Sequence, residues 1–451
     1  MSQTDDSKAM ERVAADAARA SGHAIKLTGF ARYNAQLAAA RFQLDNGLTI
    51  VLLPDERAPV FAYQTWYRVG SKDESPDRTG LAHLFEHLMF KGTAKHPVGE
   101  LDRELESRGS QTNAATWVDW TYYTCALAVR PGNLATVVDF ESDRIRGLAL
   151  TQDVFASELD VVKNERRMSV DDSVMGRISE TMFATSFTQH SYRWPTIGHL
   201  AHLETMQLEH ARNFYDTYYA PNNATVVVVG ALDPVEAITT IAKAYGPIPS
   251  SKLPERRRAA EPEQKEAREA RLKLPAVSAH VAIGYRAPGQ NDPMHAALEI
   301  ASEALLTGDN ARLYKRLVTE EELATEIDGF LSPFAEPGIY EVLLTLRPGA
   351  DAQQAIAIVQ EELSRVADGL TDGEWRKAQN GLTLSALDSL KDAEGLAEQL
   401  GHHETNTRAF EKTFEAIRRW ENVQRLEVAA AAKTYFDPSR RTVVINQPES
   451  T

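Results

Sequence analysis

The order of apolar and polar positions predicts strands first and helices after. Alternation at Arg41-Phe42-Gln43-Leu44 and at Thr49-Ile50-Val51-Leu52-Leu53 predicts two strands, with Asp45-Asn46-Gly47 as the tight hairpin turn between them. Tyr122-Tyr123-Thr124-Cys125-Ala126-Leu127 is a further strand-like apolar run, and its thiol reads as a buried core group. Helical spacing follows at 80–91, 98–108, 131–147 and 152–169. Strands followed by runs of helices predict an α+β fold.

The chain also resembles itself. Tyr218-Tyr219-Ala220-Pro221 with the valine run behind it matches Tyr435-Phe436-Asp437-Pro438 and its apolar run, 217 positions later. The helix ending Leu88-Met89-Phe90-Lys91-Gly92 matches the one ending Ala304-Leu305-Leu306-Thr307-Gly308, 216 positions later. Two matches at nearly one offset predict two homologous α/β-sandwich-like domains made by internal duplication, and two copies are too few for a solenoid. Between Gly246 and Pro275 lie five prolines and a charged run from Glu255 to Arg271, which reads as an exposed linker. The expected organisation is a polar N-terminal tail or added helix over 1–30, a first domain over 31–245, a linker over 246–275 and a second domain over 276–451.

Composition removes several function classes. A formal net charge of −15 argues against nucleic acid as the main ligand, because phosphate binding needs a basic face. No apolar run approaches the roughly 18 residues of a membrane span, so none is expected. The start, Met1-Ser2-Gln3-Thr4, has no basic n-region or apolar h-region, so the expected compartment is cytoplasmic, or periplasmic if a leader has been removed. Cys125 is the one cysteine, which excludes an internal disulfide. Gly-rich phosphate loops are absent.

Against this background His83-Leu84-Phe85-Glu86-His87 carries chemistry. On a helical wheel Leu81, Leu84, Phe85, Leu88 and Met89 form one broad face, and His83, Glu86 and His87 form the other. Asp77 or Thr79 can cap the start, and Gly92 can end the helix. The histidines are i and i+4, so their rings can converge on one metal ion. Glu86 is poorly placed to be a third ligand from the same turn and well placed to reach a water on the metal. The order is the reverse of H-E-x-x-H and is an inverted zinc-peptidase signature. The competing reading is a surface helix with scattered polar residues, which the apolar density around the run opposes.

A catalytic zinc takes a third protein ligand and leaves one position open. On the helix from Val154 to Met168, Phe155, Leu159, Val161 and Val162 define the apolar sector, and Glu158 and Glu165 fall inside it. Buried carboxylates need a cation, a metal or hydrogen bonds. Either a metal or ordinary salt bridges, for instance to Arg144 or Arg146, would satisfy them, and the pattern does not choose between the two glutamates. His402-His403-Glu404 reads as a solvated helix face. His190, His199, His202 and His210 have no ligand spacing and read as core or surface.

Gly80 to Thr93 as a whole resembles the zinc-binding signature of the insulinase/pitrilysin family of metallopeptidases. Asn113-Ala114-Ala115-Thr116 with Asp119-Trp120-Thr121-Tyr122-Tyr123 resembles that family's next strand, and Glu158 to Arg167 resembles its second ligand helix; the likeness runs over roughly 40 to 447. The resemblance implies zinc held by His83, His87 and Glu165, Glu86 as general base, Glu158 orienting His83, and peptide substrate held by strand addition along Asn113 and Ala114. It also implies a dimer, since four such halves enclose a chamber. At the duplication offset the second half has Glu299, Ser302 and Glu303, so no metal site is expected there. Where self-sufficient family members carry a substrate-gripping arginine and tyrosine, this chain has Val318 and Thr325, neither able to give a charge-assisted hydrogen bond. The resemblance to the bacterial short-chain branch therefore implies the zinc-bearing subunit of a heterodimer with a homologous zinc-free subunit. A self-sufficient homodimer and a non-catalytic core or scaffold homologue are the alternatives.

Overall fold

Two mixed sheets organise the chain in the computed structural model, which describes residues 3–110, 112–256 and 259–448. The first contains β1 (Ile25–Arg32), β2 (Ala38–Leu44), β3 (Thr49–Pro54), β4 (Val60–Tyr67), β5 (Thr112–Thr116), β6 (Thr121–Ala128) and β7 (Ala224–Gly230). Their order is β1-β2-β3-β7-β4-β6-β5, with β3 and β7 parallel and the other pairs antiparallel. The second contains β8 (Arg268–Leu272), β9 (His280–Arg286), β10 (Ala324–Leu331), β11 (Ile339–Leu346) and β12 (Arg441–Asn446), ordered β10-β11-β9-β12-β8, with β12 and β8 parallel. Read from β5, the first sheet runs β5-β6-β4-β7-β3, which is the same plan strand for strand. The duplication read from sequence is thus present as topology, and the first sheet adds the β1–β2 pair.

The predicted hairpin joins β2 to β3, where Gly47 takes the left-handed φ of 88° that its turn requires. Residues 3–21 form helix α1 (Gln3–Ser21), which buries Val13, Ala14 and Ala17 in the first core. This small apolar stripe is what draws an otherwise polar segment onto the domain.

By compactness the first unit comprises Met1–Val162, Thr196–Arg256 and Asp388–Glu415, and the second comprises Lys163–Pro195, Arg257–Leu387 and Ala416–Thr451. In the first, one face of β4 sends Phe61, Tyr63 and Tyr67 into the main core, together with α2 (Leu81–Leu88), α3 (Glu100–Ser107), α4 (Asn133–Arg144) and α5 (Gln152–Arg166). The helix Ala393–Thr407 packs on β4 and β7, where its Gly401 meets the Trp66 ring on the opposite face. In the second unit α6 (Val174–Ser186) packs on β8, β9 and β12, and Met182 meets Gly284. A separate apolar core lies on the other side of that sheet. Among the described residues no helix is long and apolar enough to cross a membrane.

Candidate functional site

Helix α2 forms because Leu81, Leu84, Phe85 and Leu88 are buried on one side and anchor it. Phe85 stacks on Tyr215 with centroids 5.7 Å apart, and its carbonyl accepts from the Tyr123 hydroxyl at 3.2 Å. The start is capped by neither Asp77 nor Thr79. Gly80 is the N-cap, with a left-handed φ of 100°, and Glu74 supplies the acceptors: Oε2 takes the Gly80 N–H at 2.9 Å and Oε1 the Ala82 N–H at 2.7 Å. Thr79 is used elsewhere, its Oγ1 lying 2.9 Å from His202 Nδ1. Burial pushes the Glu74 carboxyl up to about 8, against the downward pull of its N–H donors. Past the helix, Gly92 takes a left-handed φ of 77° where the chain turns.

The other face of α2 presents His83, Glu86 and His87, each half-buried. The two imidazoles lie with centroids 4.9 Å apart at 70°. Glu165, on the last turn of the continuous helix α5, completes a group: one potential ligand atom from each of His83, His87 and Glu165 lies within 4.8 Å of the others. Two imidazoles and a carboxylate form a ligand set used by catalytic zinc. Glu86 is not in that group. Its Oε2 is buried and has no hydrogen-bond partner among the described residues, an unusual state for a carboxylate oxygen. The donor set and this orphaned oxygen beside it fit a metal ion and its water.

Glu158, 5% exposed, lies with Oε2 3.8 Å from His87 Nδ1, and Oε1 accepts from Lys91 at 3.0 Å. The structure therefore brings it to His87, whereas the resemblance assigns it to His83. Lys91 follows His87 by four residues, just past the end of α2, and imidazole and ammonium approach the same carboxylate. The alternative counter-ions are engaged elsewhere: Arg144 pairs with Glu141, and Arg146 lies 3.7 Å from Asp216. At the end of α5, buried Arg166 bonds Glu180 at 2.9 Å and Asp171 at 3.2 Å, spanning the π-helical turn Arg167–Asp171. This clasps the chain next to Glu165.

Asn113 and Ala114 sit in β5, the terminal strand of the first sheet, opposite Thr124 and Tyr123. Next to this edge Tyr122 stacks on Trp66 at 4.2 Å, and burial, with Glu398, Glu86 and Glu394, pushes its phenol up to about 12.

The remaining histidines stay outside the cluster. His190 Nε2 pairs with Glu336 at 2.9 Å, His210 Nδ1 accepts from Gln207 N at 3.2 Å, and the His199 ring lies 5.4 Å from that of His202. His402-His403-Glu404 is not a solvated face. His402 and His403 are half-buried, and Glu404 is buried against Arg41 at 3.1 Å, because their helix packs on the first sheet. In the second unit Glu299 holds Arg419 and accepts from Trp420 Nε1 at 2.7 Å, and Glu303 accepts from Thr307 Oγ1 at 2.8 Å. Val318 packs against the second core, and Thr325 Oγ1 donates to the Thr345 carbonyl at 3.2 Å.

Sequence reasoning missed Glu74, Lys91 and Arg166. A glycine N-cap with no adjacent acceptor, a lysine one turn beyond the second histidine and a cation at a helix C-terminus were the available signals.

Residues 49–197 match the family described as Insulinase (Peptidase family M16), and residues 205–382 match Peptidase M16 inactive domain. The zinc protease PqqE of Helicobacter pylori is 27% identical over 426 residues, covering 90% of this chain and 92% of that protein. An uncharacterized zinc protease of Mycobacterium leprae is 29% identical over 392 residues, covering 84% of this chain and 85% of the other. The crystal structure of a protease from Helicobacter pylori superposes with a TM-score of 0.85 at 25% identity, covering 91% of this chain and 99% of that one.

Proposed function

We propose that this chain, which belongs to the insulinase-like M16 peptidase family and has both its N- and C-terminal domains, is a zinc-dependent endopeptidase subunit. The observation that carries the reading is the approach of His83, His87 and Glu165 to within 4.8 Å, with the unpartnered Glu86 Oε2 beside them. The inactive-domain match covers 205–382 and leaves this cluster outside it.

In this reading His83, His87 and Glu165 hold the ion. Zinc bound there would supply Lewis acidity and lower the pKa of a water to about 7. Glu86 takes a proton from the attacking water at Oε2 and passes it to the leaving amine. Glu158, held by Lys91, lies 3.8 Å from His87 Nδ1; closing that gap to a hydrogen bond would fix the ring and leave Nε2 for the ion. The free side of β5 takes the peptide as an added strand, through the backbone at Asn113 and Ala114.

A homologous zinc-free subunit completes the enzyme. Support comes from Val318 and Thr325, which stand where an arginine and a tyrosine would grip substrate. The Glu86→Gln variant, assayed for zinc content and for peptide cleavage with and without a co-expressed homologue, tests both parts. Zinc retained with cleavage lost is expected, as is wild-type cleavage that rises sharply on adding the partner. Loss of zinc from this variant would make Glu86 a ligand. Full activity of the lone wild-type chain, unchanged by the partner, would remove the heterodimer and leave a homodimer. Wild-type protein purified without chelator and lacking zinc would point to a scaffold.

A further inference from the structure

We infer that Glu74 is a positioning residue for the metal helix, and that the segment Ser71–Glu74 straps this helix to the edge of the first sheet. The inference rests on the reading of His83 and His87 as zinc ligands and extends it to what holds them.

The cap of α2 is unusual in its source. Gly80 cannot be replaced by the serine or aspartate that commonly caps a helix, for two reasons. Its φ is 100°, and a Cβ there would stand 2.8 Å from the Ile197 carbonyl oxygen. The first-turn N–H groups must therefore find an acceptor elsewhere. Glu74 spans them with both oxygens, on Gly80 N and Ala82 N, and is 7% exposed. Ala82 immediately precedes His83. A carboxylate gripping the N–H groups of Gly80 and Ala82, two residues apart in the first turn, fixes the rotation of the helix about its axis as well as its start, and that rotation sets where both imidazoles point.

Glu74 is itself held. Ser71 N donates to the Trp117 carbonyl at 3.1 Å and Lys72 N to the Val118 carbonyl at 3.0 Å. The Lys72 ammonium pairs with Asp119, both side chains being buried. Gly70 allows this approach, since a Cβ there would lie 2.4 Å from the Trp117 oxygen. Trp117 to Asp119 is the turn leaving β5, the strand read here as the peptide's docking edge. The strap thus joins the substrate edge to the metal helix through a buried ion pair and a buried carboxylate. A peptide pairing with β5 stiffens the same turn that, through Lys72 and Glu74, holds His83 and His87.

The test uses the full chain. Zinc affinity is measured by competition with a chromophoric chelator, and cobalt(II) replaces zinc so that its visible bands report ligand geometry. Glu74→Ala is expected to weaken zinc binding by about 10- to 100-fold, the range for losing a group that supports a ligand. Glu74→Gln, which keeps one acceptor oxygen, should weaken it by less and still fold. Both should alter the cobalt bands, and both should speed hydrogen exchange of the α2 amides in metal-free protein. Gly401→Ala, which disturbs the opposite face of the same sheet, serves as the stability-matched control, with affinity and cobalt bands unchanged. Wild-type affinity and spectrum in both Glu74 variants would overturn the inference and leave the zinc reading standing. So would an equal loss in Gly401→Ala, which would mark a general loss of stability. A wild-type chain that binds neither metal would remove the zinc reading itself, and this inference with it.

Discussion

Replacing Gly401 by alanine reverses the usual sign of a helix substitution. In an exposed helix interior Gly→Ala stabilises by about 1 kcal/mol. At Gly401 the added Cβ would stand 2.1 Å from Trp66 Nε1, 2.3 Å from Cε2 and 2.7 Å from Cδ1. Trp66 has little room to retreat. It is 1% exposed, its ring stacks on Tyr122 at 4.2 Å, and its Nε1–H donates to Gln64 Oε1 at 2.8 Å. Overpacking a filled site costs about 1–3 kcal/mol, and a displaced buried hydrogen bond adds about 0.5–1.5 kcal/mol. Setting the propensity gain against these leaves a net loss of about 1–3 kcal/mol. Thermal and urea unfolding of Gly401→Ala should show it as a transition lowered by several degrees. Gly373→Ala is the control, because nothing lies within 4 Å of its would-be Cβ, and it should unfold at or slightly above the wild-type temperature. A Gly401→Ala protein as stable as wild type would refute the contact between this helix and β4, and with it the membership of 388–415 in the first unit.

Other expectations follow from the site and the surface. Zinc titrated into metal-free wild type should raise its melting temperature, by about 2.7 kcal/mol of stabilisation at a hundredfold excess over Kd, and His83→Ala should abolish the rise in a thermal-shift assay. Glu86→Gln should lower kcat by about 100- to 10,000-fold with zinc content at wild type; a milder loss in a steady-state peptide assay would remove Glu86 as base. Lys91→Met leaves Glu158 buried without its ammonium partner beside His87 and should weaken zinc binding in the chelator assay; unchanged affinity would show that the pair is not needed to hold His87. The Arg312 hydrogen bonds hold the Glu374 carboxyl down at about 2, helped by those from Thr371. A depressed carboxyl pKa stabilises above its unfolded value, near 4.5, and that contribution is lost as pH falls towards 2. Acid unfolding of Arg312→Met should lack this share of the pH dependence, and an unaltered acid profile would count against the pairing.

The parts of the site legible in the sequence are those whose partners lie within a helical turn or one repeat. His83, Glu86 and His87 declare themselves by spacing, and the shared strand order was visible as the match of Tyr218 onward with Tyr435 onward. Glu158 and Glu165 were legible as buried acids, but which one meets the histidines depends on how α5 lies across α2, and no local pattern carries that. That Glu158 Oε2 comes within 3.8 Å of His87 Nδ1 is invisible for the same reason. Glu74 was invisible because its acceptor role exists only once the turn from Ser75 to Thr79 folds back onto Gly80. The helix Ala393–Thr407 has ordinary helical spacing, and nothing in it names the first sheet as its support. His402 and Glu404 were consequently misread as solvated. Residues 3–21 gave too small a stripe, Val13, Ala14 and Ala17, to outweigh their polarity.

The late origin of the helix that covers Trp66 has a consequence for how the chain is made. The strands of the first sheet are complete once Gly230 has been synthesised, yet the helix that seals their Gln64–Trp66 face ends at Thr407. At translation rates of about 5–20 residues per second, the 177 residues between these points take about 9–35 s. Through that interval the Gln64–Trp66 face stands uncovered by this helix on the nascent chain, although His83, His87 and Glu165 have already been made.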